Sequence, residues 1–263
     1  MIKDITIGQY IPGNSLLHRA DPRIKIILTF VFMTAIFLVD TFVGFFLFAL
    51  FTLIAIIGSE IPLKYTIKGL KPVMFIVIFA AIINIFTIQG TPIFQYGFIK
   101  ITYEGLETAA KMALRLILLI TGASLLTLTT TPILLTDAIE KLLSPLKRIG
   151  VPAHEIAMMM TIALRFIPTL LDETEKIMKA QSARGADFDS GSLMQRAKSF
   201  IPILVPLFVS AFRRADELAM AMEARCYRGG EGRTRMKQLK LTINDLYVST
   251  IMLIFVLFVM FIQ

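Results

Sequence analysis

Residues 152–185 read PAHEIAMMMTIALRFIPTLLDETEKIMKAQSARG. Pro152 suits a first helical turn, and Ile156, Met160, Ala163, Ile167, Leu170, Thr174 and Ile177 follow in steps of three and four. Arg165, Thr169, Asp172, Lys176 and Lys179 make a polar stripe opposite, so the stretch predicts one amphipathic helix of about 30 residues, roughly 45 Å at the standard rise. It closes at Ala183-Arg184-Gly185. Residues 207–226 read LFVSAFRRADELAMAMEARC and close in the same way, at Ala224-Arg225-Cys226. The offset between the two arginines also sets Glu175 over Asp216, Ile177 over Leu218 and Ala180 over Ala221. One device is repeated.

A single ending of this kind is ordinary. Arginine in a last turn complements the negative end of the helix dipole, and glycine beyond it supplies the left-handed stop. Two of them in one polar block imply two equivalent projections, each a planar five-donor cation with little bulk around it. Such a group suits a carboxylate-lined groove on another protein.

The rest of the chain is built for a membrane. It is 56% hydrophobic and only 17% charged, which is far from a soluble domain, and its mean hydropathy is +0.74. Residues 1–21 are polar and turn-rich, unlike a secretory signal, and the lone cysteine fits an intracellular-facing membrane protein. Asp21-Pro22 reads as N-cap and first helical residue, with Arg23 and Lys25 on the opening turn and Lys25 able to snorkel. Apolar runs follow at 24–39, 42–57, 73–88, 112–128 and 246–262, the third opened by Pro72. These five spans make the chain an all-α integral membrane protein with three parts: residues 1–128 with spans one to four, a polar-edged block at 129–242, and a last span at 243–263.

Basic residues cluster before the first span (Arg19, Arg23, Lys25), between the second and third (Lys64, Lys68, Lys71) and throughout the block. By the positive-inside rule these regions are cytoplasmic, which puts the N-terminus inside and the C-terminus outside. The net charge of +8 is thus a topology signal and not a nucleic-acid footprint.

Within the block, residues 132–147 predict a short interfacial helix, with Ile133, Leu134, Leu135 and Ile139 on one side and Asp137, Glu140, Lys141 and Lys147 on the other. Residues 193–227 form a second long segment, with a kink or break expected at Pro202 and Pro206. Glycines 229, 230 and 232 end it, and a basic linker at 233–240 returns the chain to the membrane. Met158, Met159, Met160, Met178, Met194, Met220, Met222 and Met236 gather in and around these helices, as adaptable packing or as a surface that accepts more than one partner.

Several chemistries are missing. No G-x-x-x-x-G-K-[ST] phosphate loop occurs, His154-Glu155 lacks the second histidine of a zinc helix, and His18 is remote in sequence, so no metal site is expected. The spans carry almost no ionisable residue besides Arg115, whereas ion-coupled transporters place acids or histidine at mid-depth. Catalysis is not expected of this chain, and a self-contained permease or channel is the alternative class.

The chain resembles the transmembrane T component of an energy-coupling factor (ECF) transporter, the scaffold of a vitamin or metal-ion ABC importer. The resemblance rests on Tyr10-Ile11-Pro12-Gly13-Asn14-Ser15, His18-Arg19-Ala20-Asp21-Pro22-Arg23, the five-span layout, Arg165-Phe166-Ile167-Pro168 and the paired triplets. It implies that Ala183, Arg184, Gly185, Ala224, Arg225 and Cys226 end two cytoplasmic coupling helices that dock on two ABC ATPase subunits. Cys226 departs from the usual Gly or Ser. ATP and Mg would be bound by those partners and no cofactor by this chain. A separate substrate-binding membrane subunit, the S component, either dedicated or one of several exchangeable ones, would meet the helix faces bearing Met158, Met159, Met160, Met178, Met220 and Met222. The setting implied is the plasma membrane of a prokaryote, and the cargo a vitamin or other micronutrient.

The charge distribution is testable by itself. A reporter enzyme fused after Gln263 is expected to be active outside, and one inserted at Gly191 inside; the opposite pattern would sink the orientation.

Overall fold

The structure, a computed structural model, describes residues 10–96, 99–188, 192–230 and 239–262; most of the basic linker, with Met236, lies outside them. The described residues fall into two compact units, 10–138 with 239–262, and 139–230.

In the first unit α1 (Leu16–Arg19) leads into α2 (Pro22–Leu38), and α3 (Phe42–Gly58) follows after a short turn. Asp21 caps α2 as its spacing predicts: its carboxylate accepts from the Arg23 backbone N–H (2.8 Å), and Pro22 occupies the first turn. At 17 residues α2 and α3 are each about 25 Å long, near the short limit for a span. Next comes α4 (Leu63–Thr87), which corrects the expected start at Pro72. Proline there removes the donor for the Lys68 carbonyl, yet the lysine-bearing stretch before it is helical and runs straight into the apolar run.

A β-hairpin, β1 (Pro92–Tyr96) against β2 (Ile99–Thr102), follows in a stretch that Gly90, Pro92 and Gly97 by themselves make read as a loop. Glu104 anchors its base by accepting from the backbone N–H of Thr91 (2.7 Å), and Thr102 caps the next helix through a bond from Gly105 N–H. That helix, α5 (Tyr103–Thr129), begins nine residues before the apolar run, and α10 (Ile243–Ile262) closes the unit.

The core forms where α2, α3, α5 and α10 meet: Phe32, Ile36, Val39, Phe45, Phe48, Leu118, Met252 and Val259 are buried together. Phe48 sets its edge against both Phe32 and Phe255, and Phe51 stacks on Phe255 with centroids 4.2 Å apart. In lipid such contacts replace the hydrophobic drive that water would give, so close approach matters most. Gly122 provides it, because a Cβ there would stand 2.4 Å from the Phe32 ring.

The N-terminal signature residues form a polar knot at one end of this core. His18 Nε2 donates to the Ile11 carbonyl (3.0 Å), which leaves Nδ1 to accept from the Ser15 hydroxyl (2.7 Å). Lys25 does not snorkel. It is 7% exposed, and its ammonium donates to the carbonyls of His18 and Thr129 and to the Thr130 hydroxyl, at 3.1 to 3.3 Å. Asp245 of α10 accepts from the backbone of Asp21 and Thr242, tying the last helix to the first span. At the far end of α2, Arg115 donates to the Val39 carbonyl (2.8 Å) and to Asp40 (3.0 Å), and lies over the rings of Phe37 and Phe45.

The second unit contains the end of α6 (Pro132–Leu143), a 3-10 turn (Ser144–Ile149), α7 (Ala153–Ala183), α8 (Leu193–Ser199) and α9 (Ile201–Ala224). The expected break in the long segment falls at Phe200, one residue before α9, and Pro168 and Pro206 lie inside continuous helices.

Among the described residues four helices are long and apolar enough to cross a membrane, Leu63–Thr87, Tyr103–Thr129, Ala153–Ala183 and Ile243–Ile262, with Phe42–Gly58 shorter. The presence of α7 in that group was not expected. Its first half carries only Glu155 and Arg165, while Asp172, Glu173, Glu175, Lys176 and Lys179 crowd the second.

Gly122→Val is expected to destabilise the first unit by about 1 to 3 kcal/mol, because the added side chain would collide with the Phe32 ring. Gly58→Ala meets nothing within 4 Å and is the control. Thermal unfolding in detergent compares them, and equal midpoints would show that α2 does not rest on Gly122.

Candidate functional site: two arginine-ended helices

Both triplets close their helices with the same hydrogen bonds. At the end of α7, Gly185 N–H donates to the Ser182 carbonyl and Ala186 N–H to that of Gln181, both 3.0 Å. At the end of α9, Cys226 N–H donates to Glu223 (2.8 Å) and Tyr227 N–H to Met222 (3.0 Å). These pairs define a Schellman stop, in which the residue after the cap turns left-handed. Gly185 has φ +87° and Cys226 φ +57°. Cysteine thus holds the conformation for which glycine is suited, and the second stop is as complete as the first.

Arg184 and Arg225 are the cap residues, with φ of −88° and −93°. Backbone donors close the carbonyls of Gln181 and Ser182, and of Met222 and Glu223, without using either guanidinium. Both are exposed, and among the described residues neither makes a side-chain hydrogen bond or ion pair.

The helices pack antiparallel. Arg214 of α9 donates to Glu173 of α7 (2.8 Å), while beyond the end of α9 the Tyr227 hydroxyl lies 3.4 Å from His154 Nε2 at the start of α7. Glu173 and Arg214 occupy equivalent places, each eleven residues, about 16 Å of helix, before its arginine. The two arginines therefore project in opposite directions from one crossing point. Near Arg225 a cavity of about 590 Å³ opens between the helices, lined in part by Met158, Ile162, Arg165, Met222 and Arg228.

The methionines divide by face. Met158 and Met222 line that cavity, Met178 is half-buried, and Met159, Met160 and Met220 are exposed at 58, 37 and 62%. Leu204, Val205, Phe208, Val209 and Phe212 are also exposed on α9. Sequence reasoning missed the crossing ion pair, although the offset that aligned Glu175 with Asp216 also aligns Glu173 with Arg214. It missed the role of His154 too, whose Nδ1 lies 3.1 Å from Glu140 and whose ring packs where a Cβ on Gly230 would fall. Among the described residues no group of three His, Cys, Asp or Glu gathers as for a metal ion.

The family model for CbiQ, described as cobalt transport protein, matches residues 13–237, which include both arginine ends. The chain is also 69% identical over 263 residues to the energy-coupling factor transporter transmembrane protein EcfT of Ruminiclostridium cellulolyticum, covering all of this chain and 98% of that one. The chain belongs to the CbiQ/EcfT family. The EcfT of Clostridium kluyveri is 60% identical over 258 residues, covering 97% of this chain and 96% of that one, and the EcfT of Bacillus subtilis 50% over 261, covering 98% of each. As a CbiQ/EcfT protein it is the transmembrane component of an energy-coupling factor transporter, a membrane subunit that works in a complex with other components.

The stops differ in one residue, and that is measurable. A left-handed residue with a Cβ costs about 1 to 2 kcal/mol over glycine. Cys226→Gly is expected to stabilise the second unit by about 1 kcal/mol and Gly185→Ala to destabilise it by a similar amount. Unfolding midpoints that move in the same direction would contradict the matching stops.

Proposed function

We propose that this chain is the mechanical link of an importer, carrying ATP-driven motion of two ABC ATPase subunits to a separate substrate-binding membrane subunit that takes up a vitamin or other micronutrient. The observation that carries this reading is the pair of matched Schellman stops, each presenting an unpartnered arginine, at opposite ends of one crossed helix pair. Two cations aimed apart fit one acidic groove on each of two partners, and ABC ATPases act in pairs. When the pair closes, arms hinged near Glu173 and Arg214 change their mutual angle. The apolar surface of α9, with Met159, Met160 and Met220, would pass that change to the substrate-binding subunit. ATP and Mg belong to the partners in this scheme, and the chain holds no cofactor. The N-terminus lies in the cytoplasm of a prokaryotic cell and the C-terminus outside.

Arginine truncation tests the coupling. As simple dipole caps, Arg184→Ala and Arg225→Ala cost about 0.3 to 1 kcal/mol of local stability and leave assembly intact. As inserted cations, each leaves a buried carboxylate unpaired and weakens ATPase binding by roughly 2 to 5 kcal/mol, about 30-fold to several thousand-fold. The double substitution is expected to release both ATPases, because the avidity of two sites is lost with them. Lysine rescues poorly at a bidentate contact. Copurified ATPase and ATP-dependent uptake are the measurements, and normal values for both in the double alanine variant would refute the link.

A further inference from the structure

The two helix ends share a backbone but not an electrostatic setting. Around Arg225 the cavity brings together Arg165 from α7 and Arg228 from the turn after α9, over an apolar floor that includes Met158, Ile162 and Met222. Among the described residues no acidic side chain lines it, and none of the three guanidinium groups is hydrogen-bonded or ion-paired. The turn bearing Arg228 is built in place: the Tyr227 hydroxyl meets His154 Nε2 at 3.4 Å, and Gly230 sits against the same imidazole. Three exposed cations around one cavity raise the local positive potential and favour an anion there, and the floor between them is apolar.

The repeat supplies the comparison. The offset that carries Arg184 onto Arg225 carries Asp187 onto Arg228 and Arg165 onto Pro206. Positions that are cationic around Arg225 are thus acidic and neutral around Arg184.

We infer that the Arg225 end is a dedicated pocket for a paired-carboxylate surface on the ATPase that docks there, with Arg165 and Arg228 as further binding residues, while the Arg184 end takes a single carboxylate. This rests on the docking role proposed above. The consequence is discrimination: one chain presents two ATPase faces with two different acid counts, so the subunit at Arg225 binds with the steeper salt dependence.

The test uses the complex copurified from native membranes in phosphatidylcholine nanodiscs, with ATPase copies per chain counted by native mass spectrometry as sodium chloride is raised. Arg184→Ala leaves the Arg225 end as the holding site, and Arg225→Ala leaves the other. The copy held at Arg225 is expected to be lost more steeply with salt. In the Arg184→Ala background, Arg165→Gln with Arg228→Gln is expected to weaken retention about 2- to 30-fold and to flatten the salt dependence. The corresponding lysine pair is expected to keep the slope, and the glutamine pair to have no effect in the Arg225→Ala background.

Equal salt slopes at the two ends would overturn the inference, as would an effect of the glutamine pair of equal size in both backgrounds, which would indicate damage to the unit. A lipid headgroup as the true occupant would show as glutamine variants that lose bound phosphatidylglycerol from mixed nanodiscs while keeping every ATPase copy, and that also overturns it. Retention of both copies in the Arg184→Ala, Arg225→Ala variant would instead remove the docking role itself.

Discussion

A helix that stops leaves its last carbonyls without donors, and the 139–230 unit depends on how two such stops are closed. In both, the residue after the cap turns left-handed so that its own N–H and the next one reach back to those carbonyls. This closure releases the arginine side chain. Had the guanidinium been needed to satisfy the carbonyls, it would lie back along the helix and offer little to a partner. The backbone instead finishes the helix within two residues, and the cation stands at the tip with Ala183 or Ala224 before it and Gly185 or Cys226 after it.

The crossing of α7 and α9 then decides what those tips can do. The ion pair between Glu173 and Arg214 is partly exposed, with side chains 24 and 36% accessible, and such pairs contribute at most about 1 kcal/mol. It marks the crossing without locking it. Toward the Arg225 end the helices face each other across Met158, Ile162, Leu218 and Met222, and methionine repacks at low cost when two helices change their angle. A rigid, interdigitated leucine interface would resist that change. The equal arms on the two sides of the crossing mean that opposite displacements of the tips become rotation about the ion pair.

The first unit solves a different problem. Helices in lipid gain little from hiding apolar surface, so their arrangement rests on close packing and on polar contacts that have no alternative partner. Phe32 against Gly122 is the first kind, and the buried Lys25 with the carbonyls of His18 and Thr129 is the second. Asp21 acts twice, capping α2 with its carboxylate and donating its backbone N–H to Asp245 of α10. The signature residues near the N-terminus are thus chiefly architectural.

Much of this was legible because the signals are local. The five apolar runs, the Asp21-Pro22 start and the triplets each declare themselves within a few residues, and α2, α3, α4, α5 and α10 cover the runs. The misses share a cause. Pro72 read as a beginning because proline suits a first turn, but whether a helix extends back past a proline depends on what packs beside it, here α5. The β1–β2 hairpin has a short, irregular register between Pro92 and Thr102 and lacks the clean alternation that would announce strands. Lys25 read as snorkelling because its three acceptors come from residues more than a hundred positions away and from a turn ahead of the helix. The site was half visible for the same reason. A repeat seen as matching types reveals Arg184 and Arg225, but it hides Glu173 and Arg214, whose charges are opposite so that the two copies can bind each other across the crossing. In an antiparallel pair built from a repeat, charged positions that touch their own equivalents have to be opposite in sign, as Glu173 and Arg214 are.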